Sequence, residues 1–536
     1  MEGVDNNETA VESGEERRNF SLSFLSDRHI LAPWILLALT GTTVTILSIY
    51  HVQSVMASWG IFGFSFDDSW IHVQYARTIF EGRAWEYAWG IPSTGSSGPL
   101  WSIILSPIFL FGTSHDSVVT SVLFISSILY ILNTIVVGEI VRQHTGKWEF
   151  GVLAQVVFVL IPRNAGLMLS GMETPLGMLT LFLALLLLNK KEWKYDIALG
   201  IVVGFAYLCR PEFVLVAAIA FPTRMVLTLK REGLQKRRIL TLFSMFVVAA
   251  LVVLPWVLHC LNTTGLPLPD SYYSKMRWGV SDDGINLWNI YWYEFWLRTE
   301  PYLILGFTGG FILALKGRPY EFLLSVALFA LYRLTMPGMS LLFAARYLVP
   351  LFDILGVAFV SGLAIALQRF LRDKGSKKPL RPSEKTLLSL VLISILFVPS
   401  LMQYNHFVTV HANQASNIEE MQVTLSLWIR ENVPVNSTIA TYDVGALGYF
   451  AEGVVLDLYG LVTPLILHNL THPFDQAGHL REINCTYVMF YVEWFNYIRS
   501  GIVYHGGDTS ILFQVHLDDN VVCGTDNMAV YEIAWS

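Results

Sequence analysis

The chain has 536 residues, of which 54% are hydrophobic and only 14% are charged, and its mean hydropathy is +0.50. A water-soluble protein would not carry repeated apolar runs of roughly 17 to 25 residues, the length that a helix needs to cross a bilayer. The composition therefore excludes a soluble globular protein, and the net charge of −7 matters less than where the charged residues lie.

The N-terminal segment, residues 1–28, is polar and rich in acidic side chains and has no cleavable signal pattern. We expect it to be a disordered cytoplasmic leader, followed by a first span that acts as an uncleaved anchor. Arg17, Arg18 and Arg28 favour a cytoplasmic N-terminus, because positive residues stay inside.

Apolar runs predict about eleven membrane-spanning helices. They lie near residues 31–50, 117–141, 150–166, 171–189, 196–209, 212–228, 239–260, 303–316, 319–336, 345–368 and 385–403. Basic residues collect in the connectors near 142–147, 190–194, 231–238, 316–318 and 369–385, which the positive-inside rule assigns to the cytoplasm.

The run 98–113 is also apolar, but counting it as a crossing would move the later basic loops to the wrong side. It is short and contains Pro107, so we expect a non-crossing helix that lies along the outer face. The loop 51–116 and the tail after about residue 404 are then extracytoplasmic.

Two adjacent carboxylates, Asp67 and Asp68, lie in this outer loop. Ionisable residues at the membrane are functional candidates, and neighbouring carboxylates can raise a pKa toward the range of a general base. A structural alternative is that the pair caps a helix that begins near Ser69. The two interpretations are compatible with each other.

Further charged and aromatic residues fall at the outer ends of later spans. They are Glu173, Arg210, Glu212, Tyr272, Tyr273, Lys275, Arg277 and Arg346. Acidic groups that face several cations and aromatic rings would hold an anionic lipid phosphate near a base. For any one of them, a membrane anchor or an internal Arg210–Glu212 pair is the simpler explanation, and only their convergence on one face indicates a site.

The tail, residues 404–536, is more polar and predicts a soluble α/β domain. Its periodicity indicates a helix over 419–431 and strands over 437–443, 453–460, 485–492 and 528–534. Cys485 and Cys523 lie in this tail, and an extracytoplasmic location would permit a disulfide between them. The sequence has no CxxC pattern that would indicate a metal site.

The number and order of these motifs resemble the GT-C superfamily of multi-spanning glycosyltransferases. The resemblance is carried by the acidic first loop, by SGMETPLG, RPE, LPDSYYSK and RYLVP, and by YDVGALGYFAEGVVLDLYG in the tail. It extends over about residues 31–470 and is closest to the branch that includes the mycobacterial terminal arabinofuranosyltransferases.

This resemblance implies a GT-C-like domain over 29–403 that transfers a sugar from a polyprenyl-phosphate donor to an acceptor hydroxyl, with inversion. In such enzymes an acidic residue of the first outer loop is the base, which here is Asp67 or Asp68. The residues expected to contact the donor phosphate are Arg346, Arg210, Lys275 and Arg277, and those expected to orient the acceptor are Glu173, Glu212, Tyr272 and Tyr273. No cofactor is obligatory, although Mg²⁺ or Mn²⁺ between Asp67 and the phosphate is an alternative.

The expected partners are a polyprenyl-phosphate sugar, membrane lipids and a glycan, lipid or protein acceptor, with no nucleic acid. The resemblance favours a prokaryotic plasma membrane, with the endoplasmic reticulum as the eukaryotic alternative.

A transporter or flippase would also have many helices, but it would be expected to show an internal repeat and midplane charges, which this sequence lacks. A non-catalytic scaffold whose tail binds a partner would tolerate replacement of Asp67 or Arg346.

Overall fold

The computed structural model describes residues 28–536 except 89, 189, 191, 234, 280–281, 372–379, 436 and 452. The leader expected over residues 1–28 lies outside the described residues except for Arg28, with which the first helix begins.

Helices make up most of the first 432 residues. In chain order they are α1 (Arg28–Ser58), α2 (Asp67–Phe80), α3 (Pro99–Leu105), α4 (His115–Thr145), α5 (Trp148–Leu160), α6 (Asn164–Met168), α7 (Thr174–Leu188), α8 (Lys194–Cys209), α9 (Val214–Glu232), α10 (Lys236–Thr264), α11 (Asp270–Gly279), α12 (Asp282–Glu294), α13 (Tyr302–Leu315), α14 (Tyr320–Thr335), α15 (Leu342–Ala345), α16 (Val349–Phe370), α17 (Pro382–Leu401), α18 (Tyr404–Ile418) and α19 (Thr424–Asn432).

Each predicted span coincides with one of these helices: α1, α4, α5, α7, α8, α9, α10, α13, α14, α16 and α17. Among the described residues, six helical stretches are long and apolar enough to cross a membrane: Ala32–Ser58, His115–Thr145, Pro211–Glu232, Arg238–Thr264, Leu342–Phe370 and Pro382–Asn432. The chain is therefore a polytopic helical membrane protein.

The apolar run 98–113 forms α3 and a 3₁₀ turn, together Pro99–Leu110. A helix of this length spans only about 18 Å, which is less than the roughly 30 Å of the hydrocarbon core. The indole Nε1 of buried Trp101 donates to the carbonyl oxygen of Gly171 at 3.0 Å. This contact fixes the short helix against the loop that carries Glu173.

The tail contains a five-stranded sheet with the strand order β2-β1-β3-β5-β4. Its elements are β1 (Thr438–Thr441), α20 (Gly445–Phe450), β2 (Val454–Asp457), α21 (Pro464–His468), α22 (Pro473–Glu482), β3 (Tyr487–Tyr491), α23 (Val492–Tyr504), β4 (Gly507–His516) and β5 (Asn527–Trp535). Strand β1 pairs in parallel with β2 and β3, whereas β5 is antiparallel to β3 and β4. The sequence pattern predicts every strand except β4, an edge strand whose Ile511 and Leu512 are exposed.

Cys485 and Cys523, between which the sequence leaves a disulfide open, are both free thiols in this structure. Cys485 belongs to one apolar cluster of the sheet, with its Sγ 3.4 Å from the carbonyl oxygen of Thr438. Cys523 packs against the other cluster, with its Sγ 3.4 Å from the amide of Gln422. The two cysteines therefore lie on opposite faces of the sheet and cannot meet.

Helix α2 is held between the helical bundle and the tail. The ring of buried Trp70 packs on Phe64, Tyr449 and Phe450, with ring centroids 4.7 to 5.0 Å apart. Arg77 Nη1 donates to the carbonyl oxygen of Tyr449 at 2.9 Å. The acidic motif at the start of α2 therefore faces the tail domain.

Candidate active site

The carboxylate of Asp67 reaches across to the tail. Its Oδ2 accepts from the backbone N–H of Gly445 at 2.7 Å and its Oδ1 from that of Ala446 at 2.8 Å. A side chain at position 445 would not fit, because a Cβ there would lie 1.9 Å from the carbonyl oxygen of Asp67. The alternative that the pair caps a helix near Ser69 is not what the structure shows: α2 begins at Asp67 itself and has no side-chain cap, and Asp67 instead binds the start of α20.

The two carboxylates of the acidic pair have opposite environments. Burial and the neighbouring carboxylate of Asp443 raise the pKa of Asp67 to about 8, although two backbone N–H groups act against this. Burial would also raise the pKa of Asp68, but Arg346 and Lys275 outweigh it and hold that pKa below its usual value. Asp67 can therefore exchange a proton near neutral pH, whereas Asp68 stays ionised.

Asp68 joins two cations from distant parts of the chain. Arg346 Nη2 donates to its Oδ2, and Lys275 Nζ lies 3.8 Å from the same oxygen. The Arg346 side chain is 2% exposed, and its guanidinium lies over three aromatic rings at 4.8 to 5.1 Å. Its Nε and Nη1 have no hydrogen-bond partner among the described residues. Buried donors without a partner are costly, so these two are suited to bind an anion.

A strained turn presents Arg346 to this site. The three preceding residues, 343–345, all have φ between 56° and 58°, a left-handed conformation that costs about 1–2 kcal/mol for each non-glycine residue. The carbonyl oxygen of Ala344 accepts from Arg163 Nη1 at 2.9 Å, while Arg163 Nε donates to Glu300 at 2.8 Å. A buried ion pair therefore supports the turn.

A second ion network lies beside the first. Glu173 Oε1 accepts from Arg210 Nε at 2.8 Å, and Glu173 Oε2 lies 3.1 Å from His72 Nε2. Arg210 Nη1 is 3.7 Å from Glu212. The Arg210–Glu212 pair expected from the sequence is present, but Glu173 is the closer partner of Arg210.

Most of the predicted site residues line two cavities. The larger has a volume of about 570 Å³, and its bundle side includes Asp67, Asp68, Lys275 and Arg346. The smaller has a volume of about 30 Å³ and is lined by Glu173, Arg210, Glu212, Tyr272, Lys275 and Arg346. Lys275 and Arg346 are thus shared by both cavities.

One predicted residue is not brought to these cavities, and the side chain of another is not described. Tyr273 lines neither of the two, and its ring packs edge-on against that of Tyr272 with centroids 5.9 Å apart. The backbone of Arg277 lies in α11, but its side chain is outside the described part of the structure.

Sequence reasoning missed Tyr347, which lies among three cations. Its hydroxyl accepts from Arg346 Nη2 at 3.1 Å, and its ring lies 5.6 Å from both the Lys275 ammonium and the Arg210 guanidinium. The only signal in the sequence is its place next to Arg346 in the RYLVP motif.

It also missed Asp443, which faces Asp67 from the tail. Asp443 Oδ2 accepts from the Tyr491 hydroxyl and from Gln422 Nε2, the latter at 3.1 Å. Asp443 follows β1 and Tyr491 ends β3, so both lie at the carboxyl ends of parallel strands, where α/β sheets usually bind ligands. The predicted strands therefore contained a signal for this site.

The acidic groups do not fit the alternative of a bridging Mg²⁺ or Mn²⁺. Among the described residues, no three His, Cys, Asp or Glu side chains are grouped so that they could hold a metal ion. Asp68, the other carboxylate of the acidic pair, faces Arg346 and Lys275. Cationic side chains thus stand where a divalent ion would need oxygen ligands.

Two family models match parts of the chain. Residues 102–259 match the dolichyl-phosphate-mannose-protein mannosyltransferase family, and residues 415–531 match a domain of unknown function. No curated protein matches the chain at a significant level.

Solved structures share the architecture at low sequence identity. ArnT from Cupriavidus metallidurans bound to undecaprenyl phosphate aligns with a TM-score of 0.56 and 11% identity, over 93% of this chain and 97% of its own. Its apo form aligns with a TM-score of 0.52 and 12% identity, over 91% and 97% of the two chains. An oligosaccharyltransferase from Archaeoglobus fulgidus, crystallised with zinc and sulfate, gives a TM-score of 0.48 and 14% identity over 86% and 68%.

The two ArnT similarities confirm the predicted GT-C fold with its small C-terminal sheet domain. Together with the mannosyltransferase family match, this fold indicates a membrane glycosyltransferase of the GT-C type. The finer likeness to the mycobacterial arabinofuranosyltransferase branch stays a prediction.

Proposed function

We propose that this chain transfers a sugar from a polyprenyl-phosphate donor to an acceptor hydroxyl on the extracytoplasmic face of a membrane, with inversion at the anomeric carbon. The observation that carries the proposal is the buried Arg346, which has two unpartnered N–H donors at a cavity shared with Asp67. The matched mannosyltransferase family and the ArnT complex with undecaprenyl phosphate support the donor class.

In this proposal Arg346 and Lys275 bind the donor phosphate. Arg346 Nε and Nη1 form charge-assisted hydrogen bonds to phosphate oxygens, and Lys275 adds a second positive charge. Asp68 holds the two cations together before the donor arrives. Because the cations are already in place, they stabilise the negative charge that grows on the departing phosphate.

Asp67 is the proposed general base. Its pKa of about 8 lies close to the range in which a base is most effective, and the pKa of Asp68 is too low for this role. A carboxylate has about four acceptor positions, so two remain after the backbone N–H groups are bound. Asp67 takes the hydroxyl proton as the acceptor oxygen attacks the anomeric carbon, and the phosphate leaves with the electron pair of the broken C–O bond. A single displacement of this kind inverts the configuration.

The remaining predicted residues take supporting roles in this proposal. Glu173 and Glu212 neutralise Arg210 behind the donor phosphate, and Tyr272 lines the small cavity beside them. The site faces the extracytoplasmic side because the basic connectors, of which 369–385 is the richest, are assigned to the cytoplasm. We place the protein in a prokaryotic plasma membrane with a cytoplasmic N-terminus.

A panel of radiolabelled polyprenyl-phosphate sugars tests the proposal on the purified protein in nanodiscs. The arabinofuranosyl donor comes first, because the sequence resembles that branch most. We expect label to reach an acceptor, or slow donor hydrolysis, and the product anomer to be opposite to that of the donor. Donors that bind but stay intact under all conditions would contradict the proposal and favour a transporter or a scaffold.

A further inference from the structure

The tail side of the larger cavity carries binding groups that the transfer chemistry leaves unused. Asp443 follows strand β1, and Tyr491 ends the parallel strand β3. Gln422 Nε2 bonds to the carboxylate of Asp443 at 3.1 Å and to the Tyr491 hydroxyl at 3.0 Å. Carboxylate, amide and phenol groups at one edge can donate to and accept from several hydroxyls. The carboxyl ends of parallel strands are a usual place for ligands.

Aromatic side chains of the tail line the same cavity. They are Tyr442, Tyr459, Tyr491 and Trp494. Such rings combine a flat apolar face with a polar edge, and they lose little conformational freedom on binding. A sugar ring likewise has apolar C–H faces and a rim of hydroxyls, so the two surfaces are complementary.

The charges of the cavity are divided between its two sides. Lys275 and Arg346 line it from the bundle, whereas no described Lys, Arg or His lines it from the tail, where Asp443 is the charged group. An anionic acceptor on the tail side would face Asp443 and Asp67 without a counter-ion, which is unfavourable in a buried site. The donor phosphate is drawn to the opposite side.

We propose that the tail is the acceptor-binding module and that the acceptor is an uncharged sugar residue of a glycan, bound by Asp443 and Gln422 and stacked on Trp494. This inference rests on the proposed transferase function and names the acceptor class for the same site. The cavity volume of about 570 Å³ falls within the roughly 300–1,000 Å³ of pockets that hold whole small-molecule ligands.

The test compares a neutral oligosaccharide acceptor with the same oligosaccharide bearing one uronic acid, using the full-length protein in nanodiscs. The parent should prefer the neutral acceptor by about tenfold or more in kcat/KM. Trp494→Ala should raise the KM for the neutral acceptor about tenfold, with a smaller change in the KM for the donor. Tyr497→Ala is the matched control, because Tyr497 is an aromatic residue of the same helix α23 that is 71% exposed.

If Trp494→Ala folds poorly, a second variant that should gain activity on the charged acceptor tests the same inference. Val521 lines the tail side of the cavity and is 39% exposed, so Val521→Lys should be tolerated and should increase the use of the uronic acid acceptor several-fold. Equal use of both acceptors by the parent, or equal KM values for Trp494→Ala and Tyr497→Ala, would overturn the inference while the transferase function stands. If the parent consumes no donor at all, even by hydrolysis, the proposed function itself fails.

Discussion

Two buried ion networks at opposite ends of α8 differ in how completely their charges are paired. At the N-terminal end, Asp196 accepts from Arg224 and from Arg238, both at 2.7 Å. The other N–H groups of Arg224 donate to the backbone carbonyl oxygens of Leu188, at the end of α7, and of Lys190 and Glu192, in the loop before α8. Each group of Arg224 thus has a partner within the protein.

At the other end, about 20 Å along the helix, the pairing is incomplete. Arg210 is bound by Glu173, but the neighbouring Arg346 keeps two buried donors without a described partner, and Asp68 is 25% exposed at the large cavity. A closed network only supports the fold, whereas buried donors without a partner can be satisfied by an anionic ligand. The completeness of pairing therefore separates the structural charges from those proposed to bind the donor.

Among the changes that compare the two networks, replacing one arginine in each is expected to have the largest effect. Arg346→Gln should lower the transfer rate by about 10²–10³-fold, because a preorganised donor to the leaving phosphate is lost. Arg224→Gln should lower the melting temperature, since breaking a buried ion pair costs about 3–5 kcal/mol, but the folded fraction should keep its kcat. Activity and thermal unfolding are measured on the same nanodisc samples. Equal losses of kcat in both variants would remove the distinction between the networks.

A smaller loss is expected when Asp67 is displaced from the tail. In Gly445→Ala the new methyl group would clash with Asp67, and overpacking of about 1–3 kcal/mol should slow transfer roughly tenfold. Gly310→Ala is the matched control, because its Cβ would meet its nearest neighbours at an ordinary 3.5 Å. A transfer rate for Gly445→Ala equal to that of Gly310→Ala would show that this contact does not position the base.

The pH dependence sharpens the contrast between the two carboxylates. The parent rate should rise with pH up to about 8, because Asp67 must lose its proton to act as a base. Asp443→Asn removes a negative charge next to Asp67, so the pKa of Asp67 should fall. The acidic limb of the pH–rate profile should then move to lower pH by about one unit. Asp518→Asn changes a fully exposed carboxylate and should leave the limb in place. If the acidic limb of the parent's pH–rate profile lay below pH 5, Asp67 would not be the general base.

The smallest expected effect is that of a chelator. Because Arg346 and Lys275 supply the positive charge, transfer in EDTA should equal transfer in Mg²⁺ or Mn²⁺. Loss of activity in EDTA that either ion restores would return the bridging metal to the mechanism.

The sequence predicts the positions of the apolar helices well, because long apolar runs are local signals, and six described stretches are long enough to cross a membrane. The contact between Asp68 and Arg346 joins residues 278 positions apart. The predicted topology placed both residues on the outer face, and the resemblance to known motifs assigned them to one site. Tyr347 has no sequence signal beyond its place next to Arg346, and Asp443 is marked only by its position at the end of a predicted strand. The role of each residue depends on the groups that surround it after folding. Location alone left a disulfide between Cys485 and Cys523 open, and the fold decides against it because the two cysteines pack on opposite faces of the sheet.

Donor binding and turnover in Asp67→Asn and Asp68→Asn, measured with the donor that the parent consumes, decide whether Asp67 is the base. We predict that Asp67→Asn binds this donor like the parent but transfers about 10²–10⁴-fold more slowly at every pH. Asp68→Asn should keep measurable transfer and a rate that rises with pH, since its base is intact. Near-parental transfer by Asp67→Asn, with transfer abolished in Asp68→Asn, would contradict the assignment of the base and of the charges around it.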